Sequence, residues 1–495
     1  MSLETAGETP LFVQISQALA RDIARGRLRP GDPVPGTRSL AGTLGVHRST
    51  VVAAYAELAA QGWVSTRPGG ATLVAASSPD PKPRRFARPA ERRGLPKHAG
   101  YAVEPPLVQA LPVPKLPPNA LLLWGGSPDL RLCPVDLLGR AYRRVASRRG
   151  KQLFGYTPNF SGHPELRRAV ASLASQARGI PADEEAVLIT RGSQMALDLV
   201  ARSLIRPGDV VALEALGYPN AVNVFRRAGA RIVSVPLDRH GLDVTALTAL
   251  AEREPVRLVY VTPHHQYPTT VTLAATRRLA LLDLARRKRF AILEDDYDQE
   301  FHYDGRPVLP LASSDPTGNV IYVGTLAKSL APGLRLAFVV APRALVERLT
   351  AERVLIDRQG DLVLECAVAE LLDDGDVQRH VRRMRRVYHA RRDAFCEQLD
   401  RELGSVLRYD RPAGGLQLWA HVDPKVDVAL WQERCMERGV FFQIGRQFSL
   451  DGSPVQCVRL GYAVLDEREA ATAVRRIKEA LLPASSRRAK GQAKS

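Results

Sequence analysis

"VIYVGTLAKSLAPGLRLAFVV", residues Val320–Val340, runs from an apolar stretch into a single lysine, then through Ser, Gly and Pro to Arg335 and a second apolar stretch. The first stretch has no helical period and reads as a buried strand. Lysine is rarely kept in such surroundings, so Lys328 just past that strand asks for a chemical reason. The strand has companions: "AVLIT", "VVALE", "RIVSVPL", "RLVYVTP", "FAILEDD" and "LAFVVAP" are further candidates. Between several of them lie amphipathic stretches such as "SQMALDLVARSLI", where Leu197, Val200, Ala201 and Leu204 stand at i, i+3, i+4 and i+7. Strands alternating with helices predict a largely parallel α/β sheet. After about residue 360 the chain turns long and Arg-rich ("VQRHVRRMRRVYHARRDAF"), which predicts a linking helix and then a smaller α+β subdomain.

At 495 residues the chain exceeds one core, and more than one domain is expected. No apolar run approaches the roughly 20 residues that span a bilayer. The acidic, polar start "MSLETAGETP" does not resemble a signal peptide, so a cytoplasmic protein with no membrane partner is expected. Five scattered cysteines without a CxxC pair fit reduced, buried thiols, and no spacing of Cys and His predicts a metal site. The net charge of +18 is unevenly spread: residues 1–80 carry +1, 81–118 carry +6, 119–482 carry +7 and 483–495 carry +4. Excess concentrated in a linker and a tail is compatible with attraction to nucleic acid.

Four segments are expected: a helical module over 1–78, a Pro/Arg-rich linker over 79–118, the α/β region over 119–482 and a basic disordered tail over 483–495. In the module, Thr9-Pro10 predicts a helix start with a capping hydroxyl, and Leu11, Ile15, Leu19 and Ile23 recur every four residues. A second helix is expected over Thr37–Leu44 and a third from about His47 to Gln61, with Val51, Tyr55 and Leu58 on its buried face. "WVSTRPGGATLV" then reads as a hairpin with a Gly69-Gly70 tip. Together these make a winged helix-turn-helix. Its third helix can present Arg48, Ser49 and Thr50 to a major groove, Arg38 at the start of the second helix can hold a phosphate, and Arg67 with the Gly69 tip of the hairpin can reach the flanking backbone or minor groove. The stretch "PVPGTRSLAGTLGVHRSTVVAAYAELAAQGWVSTRPGGATLV" resembles the DNA-binding domain of GntR-type transcription regulators. His47 stands where that pattern has a helix-capping serine, and is expected as an exposed turn residue able to meet a phosphate.

In the α/β region, "LITRGSQMALDLV" predicts a strand, a small-residue turn and a helix start whose N–H groups at Gly192, Ser193 and Gln194 can receive a phosphate. "FAILEDDYDQEF" sets three acidic residues and a tyrosine at the end of a buried strand. Asp295 precedes Lys328 by 33 residues, Tyr297 precedes it by 31, and Arg335 follows it by seven. Ligands collect at the carboxyl ends of strands in open α/β sheets. An acid, a phenol, an amine and a guanidinium converging there match what pyridoxal phosphate needs: a Schiff-base amine, a carboxylate for the pyridine nitrogen, a donor for the ring oxygen and donors for the phosphate.

On these motifs residues 119–482 resemble a fold-type I aminotransferase. Joined to the GntR-like module, the chain resembles the MocR subfamily of regulators over essentially its full length. By that resemblance Lys328 would carry the cofactor as an internal aldimine, Asp295 would pair with the pyridine nitrogen and Tyr297 with the ring hydroxyl. Ser193, Gln194, Thr325 and Arg335 would hold the phosphate, and Tyr218, in "EALGYPN", would stack on the ring. His265 and Gln266, in "TPHHQYP", fall where the family approaches the ring from its oxygen side, and Arg459, in "VRLGYA", matches the receiver of an amino acid's carboxylate. Departures from the pattern are Ala215 and Leu216 before Tyr218, Thr270 where glycine is usual, Ala327 before the lysine, and Asn220, which gives no second cation beside Tyr218. The resemblance implies a head-to-tail homodimer that binds operator DNA and senses an amine, an amino acid or pyridoxal phosphate itself. The competing expectation is an active aminotransferase carrying an accessory winged-helix domain. A nucleic-acid-binding protein without cofactor is disfavoured by the Lys-Asp-Tyr-Arg set.

Overall fold

The computed structural model describes residues 9–66, 71–76, 98–103 and 116–481. Most of the expected linker, the 483–495 tail, Arg67 and Gly69 lie outside the described residues. The chain divides into two compact units, Met1–Pro105 and Pro106–Ser495.

In the first unit three helices form where the apolar spacing requires: α1 (Leu11–Ala24), α2 (Thr37–Leu44) and α3 (Arg48–Ala60). Ile15, Leu19 and Ile23 of α1 meet Val51, Ala54, Tyr55 and Leu58 of α3 in one buried cluster. Gly45, at φ +66, ends α2, a conformation that costs glycine little. The hairpin pairs β1 (Val64–Thr66) with β2 (Thr72–Val74) in antiparallel register, Ser65 opposite Leu73. The start of α1 differs from expectation. Pro10 is the capping position, no side chain caps it, and the Thr9 carbonyl accepts a bond from Gln14 Nε2 instead of the Thr9 hydroxyl serving the helix.

In the second unit all seven expected strands form one sheet: β3 (Val187–Thr190), β4 (Val210–Glu214), β5 (Arg231–Val235), β6 (Val256–Val261), β7 (Ala291–Asp296), β8 (Val320–Thr325) and β9 (Ala337–Val340). Their order is β3-β9-β8-β7-β6-β4-β5. The pairs among β8, β7, β6, β4 and β5 are parallel, while β9 runs antiparallel to both β8 and β3. The strands are almost continuously apolar because both faces are covered: β3, β4, β8 and β9 are buried at every position. Helix α4 (Ser193–Leu204) packs Leu197, Val200 and Ala201 into one of these layers. The Arg-rich stretch is a 28-residue helix, α5 (Asp376–Leu403), whose buried Met384, Tyr388, Phe395 and Leu399 lead into the core of the smaller subdomain. That subdomain carries an antiparallel sheet of β10 (Leu407–Arg408), β11 (Gln417–Val422), β12 (Gln443–Ile444) and β13 (Cys457–Gly461), ordered β10-β11-β13-β12. The sheet matters here because its register, Arg459 opposite Trp419 and Gln443, positions Arg459.

Candidate functional site

The chain leaves β7 and β8 at the same edge, since their parallel register sets Asp295 beside Val323 and Asp296 beside Gly324. The residues that follow open into one cavity. Asp295, Tyr297, Thr325 and Lys328 line it from this edge, Ser193 and Gln194 from the start of α4, and Tyr218, Arg335 and Arg459 from three other directions.

Asp295 is buried and half satisfied. Its Oδ2 accepts from the Tyr260 hydroxyl at 2.8 Å, while Oδ1 has no hydrogen-bond partner. A buried acceptor left unpaired costs about 1–3 kcal/mol. Burial raises this carboxyl to about 6, against the pull of the Tyr260 hydroxyl and the Lys328 charge. Lys328 moves the other way. Burial lowers its amine to about 8 and Arg459 adds to the effect, while Asp298 and Asp295 oppose it. Burial, with the Asp298 charge next, holds the Tyr297 hydroxyl well above the ordinary phenol range, so it stays protonated, and it accepts from Gln417 Nε2 at 3.2 Å.

The end of the cavity lined by Ser193 and Gln194 is a helix start without a side-chain cap. Gly192 precedes α4 at φ +80, and a Cβ there would fall on the Arg335 guanidinium. Glycine at this position therefore lets a cation lie against free helix N–H groups, a combination suited to an anion. Arg335 Nη2 also donates to the Arg191 carbonyl at 3.3 Å, and the Oε1 of Gln194 is buried without a partner. Thr325 Oγ1 accepts from the Ala327 N–H at 3.1 Å.

Arg459 is only 1% exposed. Its Nη1 donates to the Tyr267 hydroxyl at 3.0 Å and to Gln443 Oε1 at 3.1 Å, its Nε is unpaired, and its Cζ lies 4.2 Å from the Tyr267 ring centroid. Among the described residues no carboxylate bonds to it. A buried guanidinium without a counter-charge is costly and suits an anionic ligand.

Sequence reasoning missed several lining residues. A Cβ on Gly125 would lie 2.8 Å from Arg459 Cζ, and one on Gly126 3.0 Å from Nη2. The adjacent glycines of "WGGSPDL" are the signal that could have found them. Tyr267 lines the cavity edge-on to Tyr218 and Tyr297, with centroids 5.3 and 5.9 Å away. His265 and Gln266 lie one layer behind it, 2% and 1% exposed. Gln266 Nε2 is held by Glu214 at 3.2 Å and by the Leu216 and Tyr267 carbonyls at 2.7 Å each, and His265 pairs with Asp298 at 2.8 Å. Backbone and carboxylate partners draw both inward, and Gln266 braces the loop that presents Tyr267. Thr270 takes φ +65, the left-handed conformation that would favour glycine. Asn220 Nδ2 donates to the Tyr218 hydroxyl at 3.0 Å.

In the first unit Arg38, His47, Arg48 and Ser49 are exposed and Thr50 is half-buried. His47 is more than a turn residue: it caps α3, its Nδ1 accepting from the Ser49 N–H at 3.3 Å and pairing with Ser49 Oγ at 2.7 Å. A ring nitrogen thus replaces the hydroxyl that usually satisfies a helix's first N–H groups. Arg48 Nε donates to Thr37 Oγ1 at 3.3 Å, tying the starts of α3 and α2 together.

Comparison with known proteins matches both units. The family described as bacterial regulatory proteins, gntR family, matches residues 11–74, and that described as aminotransferase class I and II matches residues 135–477. The chain belongs to the GntR family of regulators, in its MocR-type branch with a fold-type I aminotransferase domain. It is 32% identical over 481 residues to the probable rhizopine catabolism regulatory protein MocR of Rhizobium meliloti, covering 97% of this chain and 95% of that one. The HTH-type transcriptional regulator TauR of Rhodobacter capsulatus is 33% identical over 90% of this chain and 91% of its own. Among solved structures, the α-aminoadipate aminotransferase LysN of Thermus thermophilus, complexed with N-(5'-phosphopyridoxyl)-L-leucine, superposes with a TM-score of 0.69 at 33% identity, covering 74% of this chain and 92% of that one. Pyridoxal phosphate is the cofactor that such a domain implies, and a winged helix-turn-helix of this family implies DNA binding. Among the described residues no helix is long and apolar enough to cross a membrane.

Proposed function

We propose that this protein is a transcription regulator that senses an amine or amino acid, or pyridoxal phosphate itself, at Lys328, and converts occupancy of the pocket into altered operator binding. The supporting observation is the joint one: a full cofactor-type residue set converges in one cavity of a chain matched nearly end to end by DNA-binding regulators.

The pocket fits the cofactor. Asp295 Oδ1 is a spare acceptor for a protonated ring nitrogen, and the capless start of α4 beside Arg335 is a cradle for a dianion. When bound, pyridoxal phosphate supplies an aldehyde for the lysine amine and a ring that withdraws electrons. In this reading Asp295 keeps the proton on the ring nitrogen, and Tyr297, still protonated, donates to the ring oxygen. Ser193, Gln194, Thr325 and Arg335 bind phosphate, and Tyr218 and Tyr267 wall the ring off from water. Arg459 receives a carboxylate, which orients an amino acid toward Lys328. Like other aminotransferase-type domains, the second unit is proposed to work as a homodimer, head to tail.

A second reading has its own support, the 34% identity over 74% of this chain to the 2-aminoadipate transaminase of Thermus thermophilus. One experiment separates the two. The purified protein is loaded with pyridoxal phosphate and its visible spectrum followed against a panel of amines and amino acids, with Lys328→Ala as control. A band that requires Lys328 and shifts lastingly with one compound supports sensing. A band lost to the amino form of the cofactor and restored by a keto acid supports transamination and removes the regulator's sensing mechanism.

A further inference from the structure

Behind the pocket, outside the residues that line it, three histidines converge from two separate segments. His264 and His265 lie on the loop after β6, and His302 lies in the connection between β7 and β8. One nitrogen of each lies within 4.8 Å of the other two. The His264 ring centroid is 4.2 Å from that of His265 and 5.6 Å from that of His302.

Their hydrogen bonding is incomplete in a consistent way. His265 Nε2 and His302 Nδ1 are buried without partners, and His264, against the Val308 backbone, makes no hydrogen bond of normal geometry. Buried polar atoms are normally paired, so several unpaired ring nitrogens in one place are unusual. The far nitrogen of His265, Nδ1, pairs with Asp298 Oδ1 at 2.8 Å. With Nδ1–H donating to that carboxylate, the ring is fixed and Nε2 carries the unshared lone pair, the arrangement by which proteins orient a metal-binding histidine. Gly414 packs on the same edge of the ring. A Cβ there would strike the Phe301 carbonyl oxygen and lie 2.6 Å from both Cε1 and Nε2, so only glycine fits against that edge.

We propose that His264, His265 and His302 form a binding site for a divalent transition-metal ion, oriented by Asp298. Three neutral imidazoles suit a borderline ion such as Zn²⁺, Co²⁺, Ni²⁺ or Cu²⁺, whereas Mg²⁺ and Ca²⁺ take oxygen ligands. The bound ion ties the loop that presents Tyr267 to the His302 segment, which itself bridges to Gly414 shortly before β11. The ion is thus held beside the pocket and not in it, since none of the three histidines lines the cavity.

The test uses the full chain stripped with chelator and then titrated with Co²⁺. Wild type binds one ion per chain with a visible spectrum of nitrogen ligation, its thermal unfolding midpoint rises with Co²⁺ and not with Mg²⁺, and His302→Gln weakens binding at least tenfold while retaining the Lys328-dependent cofactor band. Absence of Co²⁺ binding by wild type, or equal binding by His302→Gln, overturns the proposal. X-ray absorption on Zn²⁺-loaded wild type gives a result that needs no variant to fold: an inner shell of three imidazole nitrogens upholds the site, and an oxygen-only shell refutes it.

Discussion

Lys328 is held at about 8 by burial first and Arg459 second. Only the unprotonated amine attacks a carbonyl, so the rate of cofactor loading should rise with pH and level off above a midpoint near 8, read from the growth of the visible band. The sign follows from the lowered value: below 8 the amine is protonated and unreactive, and an exposed lysine would keep loading slow to beyond about 10. Arg459→Gln removes the neighbouring cation, so the midpoint should move upward, and the same variant should weaken amino acids while sparing amines that lack a carboxylate. An unmoved midpoint would leave burial alone as the cause. Gly192 offers a separate test of the anion cradle. Alanine there meets both a positive φ and the Arg335 guanidinium; backbone strain alone is about 1–3 kcal/mol. Gly192→Ala should therefore weaken pyridoxal phosphate by about tenfold or more, and pyridoxal without phosphate far less.

At the scale of elements, the strands of the large sheet were legible because they are buried on both faces and read as short apolar runs with β-branched residues. The Lys-Asp-Tyr-Arg set was legible because parallel strands return their carboxyl ends to one edge, so distances along the chain translate into convergence. What the linear pattern hides is what depends on packing between distant segments. Gly125 and Gly126 matter because Arg459 lies over them, and Arg459 arrives from another sheet. His265 and Gln266 turn inward because Asp298 and Glu214 wait there, and His302 joins His265 across 37 positions. The cap of α3 is a similar case, since histidine is not a standard capping residue and its role shows only in the Nδ1–Ser49 geometry. His47→Ala should cost the first unit about 1 kcal/mol, measured by denaturant midpoint, and His47→Ser should restore it. Arg48→Ala should cost about 1–3 kcal/mol in operator affinity if Arg48 meets a base edge. Anisotropy titrations on operator and scrambled DNA decide this: equal losses on both would assign Arg48 to phosphate instead.

For the whole molecule, sensing requires that pocket and DNA-binding unit be coupled, and coupling is a free energy with no preferred direction. An effector that binds both states of the protein equally changes nothing, however tight it is. If one amine alters operator affinity by some factor, operator DNA must alter the affinity for that amine by the same factor. Both can be measured on one preparation: DNA affinity by anisotropy with and without the amine, and amine affinity from the Lys328-dependent spectrum with and without operator. Typical couplings of 1–3 kcal/mol correspond to about 5- to 150-fold, well within reach of either titration. Matching factors that differ from unity in either direction would establish the regulator as a sensor of that compound. A factor of one in both directions, across every compound that perturbs the spectrum, would leave the pocket chemically competent but uncoupled, and the aminotransferase reading would then account for the same residues without any signal passing to DNA. The same cycle with Co²⁺ in place of the amine measures whether the histidine cluster is a second input or a structural tie, since a tie stabilises the fold without changing either affinity.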